Sequence, residues 1–520
     1  MNEQNHAGRT HVERRDFLKY AISSIGLMAL TTAIPQAMGS LMNSPILKIA
    51  QASNTAALEP TRRVPLTVRP STSKEISPLF FSTNLSIYSA PLLNDPVFVA
   101  LTQFISPGSI RFPAGNPKVF WDRIGQYQWY SGPQGYDFTL TPSIVENYVK
   151  LCRSTAAEPY IQADTYVDAP DLWADLVRYT NVERAHNIKY WGIGNEPNLY
   201  SSIDKYSTQF RNYSTAMKAI DSAIRLSGPE YAGISMDVAE SFAREHGSDM
   251  FILSQHAYAL GGETIDPQRD DYPRIENLLR FKASNPIGAG INWIQQVAPK
   301  LVAVKDKYLP HGVVGVTEWG PSCGLTSPNN RTTDSLSTAL WLADTLGRFG
   351  KCGVDMVSYW TLSSPNWSTF RNELFSHTQK DPYAVDCVRP QYYAFLMFRR
   401  WWGNRWVETS TTADDRLSIW ASRKAQDLFI MVINKDPTSD MSAEIAIESD
   451  VSADAALYVL NGQSYDSTDV NINGSEIDIS SSMTVSDSIT GIRPIYMQVS
   501  PRFVHTFPAH SVSLIQIALS

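Results

Sequence analysis

Ile188-Lys-Tyr-Trp-Gly-Ile-Gly-Asn-Glu-Pro197 is a short apolar run that closes on a carboxylate, and Val313-Val-Gly-Val-Thr-Glu-Trp-Gly320 repeats the pattern further along the chain. A strand buried on both faces of a parallel sheet reads as such a continuous run rather than as an alternating one. In a closed barrel of these strands the chemistry sits at their C-terminal ends, where Glu196 and Glu318 both fall. Two carboxyl groups facing each other from separate strand ends form the arrangement that cleaves a glycosidic bond. One protonates the leaving oxygen and the other acts from the opposite side of the anomeric carbon. The competing structural reading has Glu196 capping a turn before Pro197 and Glu318 completing a buried ion pair.

Outward from these two stretches, similar runs occur at Leu79 to Ile87, Ser109 to Phe112, Pro159 to Ala163, Tyr231 to Met236, Phe251 to His256 and Met356 to Trp360. Amphipathic segments separate most of them. Tyr206, Phe210, Tyr213, Met217, Ile220 and Ile224 recur at helical spacing until Gly228-Pro229 stops the pattern, and a second helix runs from near Thr333 through Leu336, Leu340, Ala343 and Leu346 to Gly350. Strands alternating with helices over 75–402 predict a (β/α)8 barrel of the TIM type, closed by right-handed crossovers. On that count Glu196 ends strand four and Glu318 ends strand seven. Arg111 on strand two, His256 and Tyr258 on strand six and Trp360 on strand eight share the same rim, which makes them candidate binding residues beside Asn195 and Trp319. As structural residues they would be an ion pair, a satisfied core histidine and ordinary packing.

Beyond Trp402 the period changes. Leu417-Ser-Ile-Trp-Ala-Ser-Arg423, Leu428-Phe-Ile-Met-Val-Ile-Asn434 and Ala443-Glu-Ile-Ala-Ile447 alternate, with turn residues such as Asn434-Lys-Asp-Pro437 and Asn461-Gly462 between them. Residues 403–520 therefore read as an antiparallel β-sandwich, with structural support as its main role. Arg63-Val-Pro-Leu-Thr-Val-Arg69, within 61–74, reads as an edge strand that crosses over to join it.

The 520 residues exceed one typical domain and suffice for a barrel plus this smaller unit. A net charge of -7, without a block of like charge, argues against nucleic-acid binding. The 13 Trp and 24 Tyr fit a sugar-stacking cleft and equally a large core. Trp121, Trp129, Tyr166, Tyr200, Trp319, Trp360 and Trp367 lie in strand-end loops where stacking on a sugar is expected. The long segment from Leu362 to Arg389 reads as a lid over the cleft.

Glu13-Arg-Arg-Asp-Phe-Leu-Lys19 followed by the uncharged stretch Tyr20 to Ile34 has the form of a twin-arginine export signal. Residues 1–60 are accordingly expected to lie outside the fold, with export by the twin-arginine machinery and no stable membrane association after cleavage, although an uncleaved anchor fits the same pattern. Cleavage near Ala37 and cleavage after Ala50-Gln-Ala52 both suit it. Cys152, Cys323, Cys352 and Cys387 are widely spaced and lack the paired pattern of a zinc site, so neither a metal nor another cofactor is expected. Cys323 follows Glu318 closely, but no His stands near it in sequence to activate it.

With these residues in place, the chain resembles the clan A retaining glycoside hydrolases, and among them families 44, 39, 51 and 79, which add a C-terminal β-domain. The resemblance to family 44 extends to Ser109-Ile-Arg-Phe-Pro-Ala-Gly-Asn116, Asp355-Met-Val-Ser-Tyr-Trp360 and Arg389-Pro-Gln-Tyr-Tyr393. The stretch 109–116 lacks the double glycine often seen there in families 44 and 51, and Pro321-Ser-Cys-Gly324 matches no subfamily pattern. The resemblance implies Glu196 as acid/base, Glu318 as nucleophile and Asn195 as the holder of the sugar 2-hydroxyl. It implies an oligo- or polysaccharide substrate, with β-glucan, xyloglucan or mannan foremost. An exo-acting glucuronidase or arabinofuranosidase, an inactive polysaccharide-binding protein and an exported redox enzyme are the alternatives, the last without any cofactor fingerprint. The expected charge state has Glu196 protonated and Glu318 ionised, the latter held so by Arg111 or Tyr258.

Overall fold

Strands one (Phe81–Ser86) and two (Ser109–Ala114) are buried at every residue, as apolar runs packed on both faces must be. The computed structural model describes residues 63–259, 291–321, 334–365, 372–377, 383–411 and 416–520. Glu158–Ala163, Tyr190–Ile193, Arg225–Tyr231, Met250–Tyr258, Val313–Gly320 and Met356–Tyr359 supply strands three to eight. All pair in parallel with their sequence neighbours, and strand eight pairs with strand one to close the barrel. A helix follows each strand. Those at Pro96–Ile105, Pro142–Ser154, Pro170–Val177 and Pro390–Arg400 begin on proline, whose fixed φ and missing N–H suit a first turn. Ser202 and Ser235 cap Ile203–Ile220 and Met236–His246 by accepting from Lys205 and Val238 amides.

Strand five departs from the sequence reading. It occupies Arg225–Tyr231, whereas Met236, the expected end of that strand, begins a helix. The preceding helix stops at Ile220, and Gly228-Pro229 lies inside the strand instead of ending the helix. A Cβ on Gly228 would come within 2.8 Å of the Phe210 ring and 3.1 Å of Phe242, so the glycine lets two helices press on the strand.

Leu79, Tyr160, Tyr190, Ile252 and Met356 form an apolar cluster of their own and plug the barrel. Towards the C-terminal strand ends the inward residues turn polar, with Asn84, Arg111, Gln162, Glu230, Ser254, His256 and Thr317 all buried.

Residues 405–519 form a mainly antiparallel β-domain and join Val64–Glu75 in one ten-stranded sheet, nine strands along a single hydrogen-bonded path and Ile495–Gln498 paired off it to Val451–Gly462. It encloses its own core, which includes Leu66, Ile419, Ile430, Ile445, Leu457 and Ile515. Val64–Glu75 is not at an edge. It lies between Arg405–Thr411, to which it is antiparallel, and Met441–Ile447, to which it is parallel. The described parts of the expected lid carry three short strands, Ser363–Pro365, Phe375–His377 and Val385–Val388, rather than an open loop. Among the described residues no helix is long and apolar enough to cross a membrane. Cys152, Cys352 and Cys387 are unbridged. Cys323, Trp367 and the expected export signal lie outside the described residues.

Candidate active site

Glu196 follows strand four with φ +49°, in the left-handed region that a glutamate seldom adopts. Its amide donates to the Glu230 carbonyl at 2.8 Å, which fixes this turn to the end of strand five. Glu318 lies near the end of strand seven, and both carboxyl groups are buried, at 8% and 5% exposure. One oxygen of each lies within 4.8 Å of the other and of an imidazole nitrogen of His256. That cluster of donor atoms has the compactness of a cation site. Positive charge is already supplied there by the buried Arg111 guanidinium, 3.4 Å from Glu318, and by His256.

Arg111 ties the floor together. Nη1 donates to Asn84 Oδ1 at 3.1 Å, and Nη2 donates to Asn195 Oδ1 at 2.8 Å and lies 3.2 Å from Glu230. Asn195 donates its amide to Asn116 Oδ1 at 2.7 Å, and Asn116 reaches Glu196 Oε2 at 3.5 Å. Tyr258 donates to Glu318 Oε1 at 2.6 Å. His256 spans three acids: Nδ1 is 3.1 Å from Glu196 and 3.7 Å from Glu318, and Nε2 is 3.1 Å from Glu230.

The two carboxyl groups shift in directions opposite to those expected from sequence. Glu318 is raised above the ordinary carboxylate value, first by burial and then by the charge of Glu196, against the pull of His256, Arg111 and Tyr258. Burial also pushes Glu196 upward, but the hydrogen bond and charge of His256, with Asn116 and Arg111, bring it below its ordinary value. Burial lowers His256, yet Glu318, Glu196 and Glu230 together raise it to about 9. The raised His256 thus offers a proton one hydrogen bond from Glu196, the carboxyl expected from sequence to carry it.

Trp319 does not join the site. The register of strand seven shifts between Val316 and Glu318, which lets Thr317 and Glu318 both reach the site network, and alternation resumes at Trp319, which points out and packs on Trp341, Phe349 and Tyr359. Trp121 is likewise core, donating to Asp175 at 3.0 Å. Trp360 stays partly exposed at the rim, its ring against Gly115. Tyr166 and Tyr200 are half-buried and stack on each other at 3.7 Å, and Trp129 stacks on Phe138. Glu230, Asn84, Asn116, Tyr160 and Thr317 belong to the network but were not picked out from sequence. Glu230 closes strand five just as Glu196 and Glu318 close theirs, so the same criterion finds it once that strand is placed correctly.

The chain thus presents a sequential eight-stranded parallel barrel with a β-domain, and a glutamate at the ends of strands four and seven. Solved structures share this fold across most of the chain. They include a GH51 α-L-arabinofuranosidase from Thermotoga petrophila, with TM-score 0.64, 18% identity, and coverage of 87% of this chain and 99% of that one. A family 44 xyloglucanase from Paenibacillus polymyxa has TM-score 0.59, 14% identity, and coverage of 88% and 99%. A family 44 endoglucanase from Clostridium thermocellum has TM-score 0.58, 15% identity, and coverage of 88% and 99%. No family model matches the sequence, and no curated protein matches it significantly.

Proposed function

We propose that this chain is an exported retaining glycoside hydrolase that cleaves β-linked glycans of the β-glucan, xyloglucan or mannan type by double displacement. The observation that carries this reading is the pair of buried carboxyl groups at strand ends four and seven, with oxygens within 4.8 Å of each other. Retaining enzymes hold their carboxyl groups about 5–5.5 Å apart, whereas inverting ones leave about 6.5–9.5 Å for a water molecule. Glu318 attacks the anomeric carbon and forms a glycosyl ester while Glu196 protonates the leaving oxygen. Glu196 then takes a proton from the water that releases the sugar. Arg111 and Tyr258 orient Glu318, and the amide hydrogen of Asn195 not given to Asn116 reaches the sugar 2-hydroxyl. Trp360 lines the sugar path at the rim. The paired arginines Arg14-Arg15 before an uncharged stretch support export by the twin-arginine route.

Likeness in fold to a GH51 α-L-arabinofuranosidase supports a second reading, an exo-acting enzyme that releases single sugars. A panel of β-glucans, xyloglucan, mannans, xylan and aryl glycosides, with products resolved over time, separates the two by product length. Glu318→Gln is expected to abolish turnover. Glu196→Ala is expected to keep activity on aryl glycosides with good leaving groups and to gain more with azide, an anionic nucleophile that displaces Glu318 from the glycosyl ester in place of water and needs no general base. Binding without hydrolysis across the panel, or full activity in Glu318→Gln, overturns the proposal.

A further inference from the structure

Glu230 is a third carboxylate that the double displacement does not use, and it is completely buried. Oε1 accepts from Ser227 Oγ at 2.5 Å and Tyr160 Oη at 2.6 Å. Oε2 accepts from Thr317 Oγ1 at 2.7 Å and lies 3.1 Å from His256 Nε2 and 3.2 Å from Arg111 Nη2. A Cβ on Gly192 would come within 2.9 Å of the Tyr160 hydroxyl and 3.3 Å of Glu230, so strand four leaves space for this contact. So many donors on one carboxylate make sense only if it is ionised, since a protonated acid would bring a hydrogen of its own. Burial alone would raise Glu230, but Arg111, His256 and Ser227 bring it well below the ordinary carboxylate range.

An ionised Glu230 fixes the tautomer of its neighbour. His256 Nε2 must carry hydrogen to meet Oε2, which turns Nδ1 toward Glu196 Oε1. Glu230 also receives the Glu196 amide on its own carbonyl, and it too is left-handed, with φ +54°. Two separate links, one through the backbone and one through the imidazole, thus join it to Glu196.

We propose that Glu230 is a positioning residue for the acid/base: through His256 it keeps a proton in the Nδ1···Oε1 contact and sets the pH at which Glu196 can donate. This rests on the reading of Glu196 as acid/base. The proton count is the same whether the proton lies on Nδ1 or on Oε1, so delivery to the leaving oxygen needs only a shift within that hydrogen bond. Among the described residues, the charged and titratable groups facing the pair and Glu230 are Arg111 from strand two, Tyr160 from strand three and Tyr166 after it, Tyr258 from strand six, Glu318 from strand seven and Tyr206 from the helix Ile203–Ile220. None of them replaces the anion at Nε2.

The sign of the effect follows from charge. Glu230→Gln keeps the shape but removes a negative charge beside Nε2 and leaves Arg111 less compensated, and both changes disfavour a proton on the His256–Glu196 pair. The alkaline limb of kcat/KM is expected to move to lower pH by about one unit or more. In full-length chain carrying ¹⁵N-labelled histidine, the His256 titration, assigned by its loss in His256→Asn, should move the same way. A residue that only packed the barrel would lower activity or stability and leave both midpoints in place. A folded Glu230→Gln chain with neither midpoint moved overturns the proposal. Should that variant not fold, the ¹⁵N shifts of His256 in the wild-type chain decide: above its midpoint the neutral ring is expected to keep its hydrogen on Nε2, facing Glu230, and a neutral ring with hydrogen on Nδ1 instead is equally fatal. Should the wild-type chain hydrolyse nothing on the panel, the glycosidase reading fails, while the histidine titration still decides whether Glu230 governs His256.

Discussion

Tyr258 donates to Glu318 at 2.6 Å and is one of three groups that oppose the upward push of burial on that carboxyl. A nucleophile must be ionised, so the acid limb of kcat/KM reports the proton affinity of Glu318 in the free enzyme. Because this affinity is raised, the limb is expected above the pH at which an exposed glutamate titrates. Tyr258→Phe removes a donor to the charged form, which raises it further. The acid limb should therefore move to higher pH, with the alkaline limb, governed by Glu196 and His256, much less affected. Rates across pH on an aryl glycoside check this, and an acid limb that moves down rules out Tyr258 as a stabiliser of the anion. At this scale the sequence was readable wherever a chemical residue closed an apolar run. Glu196, Glu318, His256 and Arg111 were found that way and meet in one network. Trp319 adjoins Glu318 along the chain but lies on the opposite face of the strand, so nearness in sequence does not bring it to the site. Glu230 was missed because its strand was placed several residues too late.

That error belongs to the element scale, where Gly228-Pro229 reads as a helix stop and is in fact strand interior, since only the rings of Phe210 and Phe242 reveal why a glycine is needed. The helix Leu336–Lys351 shows a similar limit. Gly347 and Gly350 look like weak points in a helix, which glycine disfavours by about 1 kcal/mol relative to alanine. In the structure they are the places where the β-domain docks. A Cβ on Gly347 would overlap the Trp420 indole, and one on Gly350 would overlap Trp406. Trp420 also donates to Asp344 at 3.2 Å, and Lys435 reaches the same carboxylate at 3.3 Å. Gly347→Ala thus improves local helix propensity and worsens packing. Overpacking typically costs about 1–3 kcal/mol, so packing is expected to prevail. The urea midpoint should fall, with kcat unchanged on any substrate the wild type turns over. A midpoint that rises would mean that the indole moves aside easily and propensity decides the outcome.

At the scale of the whole molecule, the change of period near Trp402 reads as a barrel followed by a smaller unit, and the lack of a long low-complexity linker between them reads as direct packing of one on the other. Periodicity records how each strand or helix buries its own face, and it carries no information about which elements share a core. Here one apolar cluster runs from barrel residues such as Phe81, Trp319 and Leu346 through Trp402 into Trp420, Phe429, Met431, Tyr458 and Leu514 of the β-domain. The chain also enters through the β-domain. Val64–Glu75 lies inside that sheet before the first barrel strand begins, and the Ile76 amide donates to the Asn404 carbonyl at 2.9 Å. Neither part can unfold without exposing a face of the other, so the two should melt together. Scanning calorimetry of the chain is expected to give one transition whose calorimetric and van't Hoff enthalpies agree, and a chain ended at Trp402 should fail to give a soluble barrel because Val64–Glu75 and the outer face of Leu336–Lys351 lose their cover. Two resolved transitions, or a stable active fragment ending at Trp402, would show that the shared cluster contributes little and that the barrel holds its site unaided.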